Sequence, residues 1–226
     1  MTRSTLCFIL LLFAAGADLR AEWPHINSKL KKNGKPIATV VMFPALVSVS
    51  RRTLHGPESA ADDSDKIASA LFDAVVRELT ARGVRVLPNP AITSADDAAR
   101  YLLSDLQMRY DGVAAPIRKS LGDVDKGRFT LTDRVAAFPP GLEADALVFI
   151  RGRGKTGLLS PLSAFSDDRA YLHCDVGLVD PRSGEVLAFL RFDRALVRLE
   201  NAGNRLDYPI REALREVPFP IAAPKN

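Results

Sequence analysis

The densest group of chemistry-bearing side chains in the sequence is His173, Cys174 and Asp175. An imidazole, a thiol and a carboxylate could ligate a metal or run nucleophilic chemistry, provided that they face one another. On a strand they do not, because successive side chains point to opposite faces. Leu172, Cys174 and Val176 make one apolar face, which assigns Cys174 to the core as a small hydrophobe. Tyr171, His173 and Asp175 share the other face and are candidates for contact with a partner. A metal would need a further ligand, and His25 and His55 are the only other histidines. No metal and no cofactor is expected.

A second candidate is the row Arg151, Arg153 and Lys155, which alternates with Ile150, Gly152 and Gly154. It sets three cations on one face of a strand end, a pattern suited to an acidic partner. The overlapping "GRGKTG" (152–157) fails as a phosphate loop. The Walker pattern wants glycine five positions before Gly154, where the chain has Phe149, and no helical pattern follows. The acid pairs at 62–63 and 96–97 sit where helix caps belong, and those at 62–63, 96–97 and 167–168 do not follow calcium-loop spacing. No nucleophile-elbow, zinc-protease or dinucleotide fingerprint occurs, and no enzymatic activity is expected.

The elements that must hold these residues are legible from periodicity. Residues 37–43 read as a strand buried on both faces and halted by Pro44; 51–60 read as a loop. Ile67, Leu71, Val75 and Leu79 recur every fourth residue in a helix capped by Asp62, Asp63 or Ser64 and stopped by Gly83. A short strand at 84–90 follows. A helix then opens at Thr93 or Ser94 with Ala99, Leu102, Leu103 and Leu106 inward, its end near Gly112 left open. A short helix at 131–138, a strand at 144–154, two further strands and a helix around 208–217 complete the order. In "GLVDPRSGEVLAF" (177–189), Asp180 and Pro181 suit the first two turn positions and Gly184 suits a left-handed closing position. The stretch therefore reads as a hairpin, and its acids as turn residues, not catalysts. The fold class expected is α/β, a mixed α+β sandwich: a central mixed sheet, antiparallel strands toward its C-terminal part, and helices packed on it.

The N-terminus reads as a signal peptide over 1–21: Arg3, an apolar run from Leu6 to Ala17, and cleavage near Ala17 or Ala21. The run is too short to span a membrane, and no second run of that length follows. Residues 22–35, with Lys29, Lys31, Lys32 and Lys35, read as a basic leader, 36–218 as one domain and 219–226 as a tail. The net charge of +4 is too mild to point to nucleic acid. A periplasmic or secreted location follows.

Several of these residues also carry a family resemblance. Ala144-Asp145 leading an apolar strand to Gly152, then Asp180, Ser183, Gly184, Glu185 and Val186 at a turn, resembles the envelope superfamily around the curli secretion channel CsgG, the peptidoglycan-synthase activator LpoB and the N-terminal domain of TolB. The resemblance spans about residues 37–217. It implies an α/β sandwich and a non-enzymatic role in envelope assembly, through an envelope protein partner. The chain departs from the pattern in lacking a cysteine placed for lipidation, and the 155–169 connection is too short for membrane hairpins. Two other readings stand beside this one: a small-ligand or enzyme site near Pro44, and peripheral cell-wall or membrane contact through the lysines of 22–35.

Overall fold

Three long antiparallel strands form the backbone of the computed structural model: β6 (Ala146–Thr156), β7 (Ala170–Val179) and β8 (Val186–Leu196). The structure describes residues 24–33, 35–53, 55–89, 97–131, 143–156, 170–196 and 202–220. The signal peptide, the helix expected at 132–138, the cap at Thr93 or Ser94 and the acid pairs at 96–97 and 167–168 lie wholly or partly outside them.

On the far side of β6 run β2 (Thr39–Met42) and β3 (Leu46–Thr53), both parallel to it, end to end along its length. Residues 43–45 bridge the two. Beyond β2 lies β5 (Arg85–Leu87), and β4 (Gly56–Ser59) forms a hairpin with β3. The whole is an eight-stranded mixed sheet in the order β1-β8-β7-β6-β2-β5, where β1 is His25–Ile26, with β3 and β4 beside the far end of β6. Residues 51–60, expected as a loop, are thus mostly strand. Ser48, Ser50 and Arg51 interrupt the apolar run, but Val47 and Val49 suffice for a strand with one buried face, whose partner β6 is some hundred residues away.

Helices cover both faces. On one, α2 (Ala61–Ala81) packs Ile67, Leu71, Val75 and Leu79 against Val40, Met42, Val148, Ile150 and Cys174, joined by Leu206, Ile210 and Leu214 of α5 (Ala202–Leu214). On the other, α3 (Asp97–Ile117) and α4 (Gly122–Asp125) cover Val41, Phe43, Leu147, Phe149 and Phe189. The alternation of residues between the two clusters is the period of two of a sheet buried on both sides. The α2 start departs from expectation: no side chain caps it. Asp63 instead pairs with Arg51 at 2.9 Å, and Ser64 Oγ accepts the Val49 N–H at 3.0 Å, tying the helix to β3. α3 runs on to Ile117 because Pro116 stands in its last turn, where only one backbone bond is lost.

Residues 25–33 do not precede the fold as a leader. β1 (His25–Ile26) is the edge strand against β8, and Asn27 opens α1 (Ser28–Asn33) by accepting the Lys29 N–H at 2.9 Å. Glu185 at the β7–β8 turn accepts hydrogen bonds from Asn27 (2.8 Å) and Lys29 (2.9 Å), which holds the segment down. The turn itself forms as expected: Asp180 Oδ1 accepts the Arg182 N–H at 2.7 Å, and Gly184 closes it at φ 72°. Asp145, just ahead of β6 at the same end of the sheet, is a second staple, accepting the N–H groups of Ala38 (3.0 Å) and Thr39 (2.9 Å), the Thr39 hydroxyl and the Lys35 ammonium (2.9 Å).

Candidate functional site

The register of β3, β6, β7 and β8 lines up the candidate residues in three rows on the α3 side of the sheet. The first row is Leu46, Arg151, Asp175 and Arg191. The second is Ser48, Arg153, His173 and Asp193, and the third is Ser50, Lys155, Tyr171 and Ala195. All six sequence candidates therefore meet on one face, paired Arg151 with Asp175, Arg153 with His173 and Lys155 with Tyr171.

Their environments differ. Arg151 and Asp175 are buried, and neither is placed to meet a partner as expected. The end of α3 covers them. Arg151 Nε donates to Asp111 at 2.5 Å and Nη2 to the Gln107 carbonyl at 3.1 Å, with its guanidinium 5.2 Å above the Tyr110 ring. Arg118 Nε donates to Asp175 at 2.5 Å. Gln107, Tyr110, Asp111, Ala114 and Arg118 follow the helical repeat, so one face of α3, prolonged by the residue that follows it, supplies both ion pairs. Burial pushes the Asp175 carboxyl above its usual range, against the pull of Arg118, Arg191 and Arg153.

The second and third rows extend past this cover. Ser48, Arg153, His173 and Lys155 are exposed. His173 Nδ1 lies 2.6 Å from Asp193 Oδ1, and the Tyr171 ring meets the imidazole edge-on at 4.2 Å. Arg191 Nε stands 3.9 Å from the same Asp193 oxygen. Asp193 thus fixes the imidazole from one side, leaving Nε2 as the ring's other polar atom.

The second row has the composition of a hydrolytic triad but not its geometry. Ser48 and His173 are two strands apart, about 10 Å at the usual strand spacing, with Arg153 between them. A nucleophile and its base must be within hydrogen-bond reach. Cys174 lies on the opposite, apolar face. Among the described residues no three of His, Cys, Asp and Glu converge as metal ligands, and no helix is long and apolar enough to cross a membrane.

Sequence reasoning overlooked Ser48, Arg191, Asp193, Asp111 and Arg118. The first three had a signal: Arg191 and Asp193 alternate with Leu190 and Phe192, and Ser48 with Val47 and Val49. For Asp111 and Arg118 the sequence holds none, since only tertiary packing brings α3 over this part of the sheet.

No protein-family model matches the chain, and no curated protein matches it in sequence. Solved structures do. The chain is similar to a PelC dodecamer from Paraburkholderia phytofirmans at 11% identity, over 89% of this chain and 98% of that one, with a TM-score of 0.38. It is similar to lipoprotein GNA1162 from Neisseria meningitidis at 12% identity, over 80% and 96%, with a TM-score of 0.37. It is also similar to the hypothetical protein CT253 from Chlamydia trachomatis at 12% identity, over 80% and 95%, with a TM-score of 0.42.

Proposed function

We propose that the protein is an exported bacterial envelope protein and a non-enzymatic accessory or assembly factor, acting by protein–protein contact through the outer rows of this face. The observation that carries the reading is the exposure of Ser48, Arg153, Lys155 and His173 together on three hydrogen-bonded strands. A sheet held from behind by α2 and α5, and braced at its first row by α3, is a rigid platform. Rigid platforms lose little entropy on association. Export rests on the basic, apolar and small-residue order of the first 21 residues. The resemblance to the CsgG, LpoB and TolB group supports the same role.

Contact through the lysines of 22–35 is the weaker reading. Lys29 is taken by Glu185 and Lys35 by Asp145, which leaves Lys31 and Lys32 exposed. The test is a photo-crosslinking amino acid placed at Ser48 in the producing cell, with exposed Thr80 on α2 as the control position. A discrete heavier adduct from position 48 and none from position 80 is the expected outcome. Equal labelling, or no adduct at position 48, would sink the proposal.

A further inference from the structure

We infer that the outer rows bind an extended acidic segment of a partner protein, with carboxylates on alternate residues; the inference rests on the reading of this face as a contact surface. The charges on the face do not balance locally. Asp111 answers Arg151, Asp175 answers Arg118, and Asp193 lies against His173 and Arg191. Among the described residues neither Arg153 nor Lys155 forms an ion pair, and both are exposed. What is left over is a pair of cations, two residues apart on one strand.

That spacing selects the ligand. Side chains at i and i+2 of a strand lie about 6.6–6.8 Å apart. An extended acidic segment laid along β6 has the same pitch, so two carboxylates on alternate residues meet Arg153 and Lys155 together. Consecutive carboxylates point to opposite sides and offer the face one charge at a time. Ser48 and His173 flank Arg153 in the same row and supply hydrogen-bonding groups beside it. Arg153 can take a carboxylate with two parallel N–H donors, and Lys155 as a point charge. The carboxylate of Asp193 interrupts the patch, which disfavours a polyphosphate or an anionic bilayer needing an unbroken positive surface.

The experiment is fluorescence anisotropy with the full chain and two labelled peptides of identical composition. One alternates Glu with Thr; the other carries its Glu residues in blocks of two, each followed by two Thr, so that no two Glu stand at i and i+2. Vesicles of phosphatidylglycerol and inorganic phosphate are separate arms. The alternating peptide is expected to bind more tightly than the block peptide, and Arg153→Glu/Lys155→Glu is expected to weaken it by about tenfold or more. Lys66→Glu, on the exposed part of α2, should leave it unchanged. The neutral pair Arg153→Gln/Lys155→Gln, checked for native far-UV dichroism, guards against a folding effect of the reversal. Equal binding of the two peptides, binding by neither, or retention on vesicles that the double reversal abolishes would each overturn the inference. A crosslinked partner at Ser48 with no binding of the alternating peptide would sink this inference alone and leave the contact surface standing.

Discussion

Tyr110 lies so closely across Gly177 that no side chain fits between them: a Cβ built on Gly177 would overlap the Tyr110 ring and hydroxyl. The ring is stacked on Phe149 at 4.5 Å and 7°, and Phe149 in turn on Phe43 at 4.3 Å. This column fixes the height of α3 over the sheet, and so the reach of Asp111 and Arg118 to the first charged row. Gly177→Ala is expected to destabilise the protein by about 1–3 kcal/mol, the usual cost of overpacking. The Tyr110 hydroxyl, by contrast, is buried with no hydrogen-bond partner among the described residues. Burial pushes its pKa up, and Asp175 adds to the shift. Removing an unpaired buried hydroxyl costs little. Tyr110→Phe should therefore unfold in denaturant within about 0.5 kcal/mol of the parent or above it; a loss beyond about 1 kcal/mol would show that the hydroxyl has a partner after all.

Arg151 and Arg153 are two residues apart on one strand and should behave oppositely. The Arg151 side chain is 8% exposed, whereas that of its partner Asp111 is 50% exposed. Asp111→Ala would leave a buried guanidinium without its counter-ion, though still bonded to the Gln107 carbonyl, at a cost of about 1–3 kcal/mol. Arg153→Ala should stay within about 0.5 kcal/mol, as exposed substitutions do. Chemical denaturation of the two variants side by side checks this. Similar midpoints would mean that α3 does not close over Arg151 in solution.

The contrast also marks how far the sequence could be read. The β7–β8 hairpin was legible because its determinants are local: Asp180, Pro181 and Gly184 lie within five residues. α2 was legible because Ile67, Leu71, Val75 and Leu79 repeat within one element. That Tyr171, His173 and Asp175 share a face opposite Cys174 followed from strand alternation alone. The burial of Arg151 and Asp175 did not, because it depends on α3, whose side chains meet β6 and β7 across 40 and 57 residues. β1 was hidden for a similar reason. Two residues of strand beside a lysine-rich helix carry no periodicity, and the groups that hold them in place, β8, Glu185 and Asp125, lie far along the chain.

Asp145 couples stability to pH with a definite sign. Burial pushes its carboxyl up, but Lys35, the Thr39 hydroxyl and the N–H groups of Thr39 and Ala38 outweigh burial and hold it below the usual range. A carboxyl lowered in the folded state stabilises the protein above its unfolded pKa, and that stabilisation disappears as pH falls through the folded value. Asp145→Asn is expected to lose about 1–2 kcal/mol at pH 7, through weaker bonds to β2 and no ion pair with Lys35. The gap between variant and parent should narrow as pH falls below about 4. Urea titrations at pH 7 and pH 3 read it directly, and a gap that widened in acid would contradict the sign.

Cys174 supplies a probe of the same sheet from its other face. It lies between Leu172 and Val176 in the layer beneath α2 and α5, opposite His173 and Asp175. Burial pushes its thiol well above the usual range, and Asp175 and Asp193 reinforce the shift. Alkylation needs a thiolate that the reagent can reach, so the native state is protected twice. Modification of the Cys174 peptide by iodoacetamide, followed by mass spectrometry, should be negligible in buffer and rise along the unfolding transition. Because Cys174 is buried beneath α2 and α5, reaching it requires those helices to lift from the sheet or the strands that carry Arg153 and His173 to separate. Labelling well before the global transition would show that this part of the sheet opens on its own, and would remove the rigidity on which a docking platform depends.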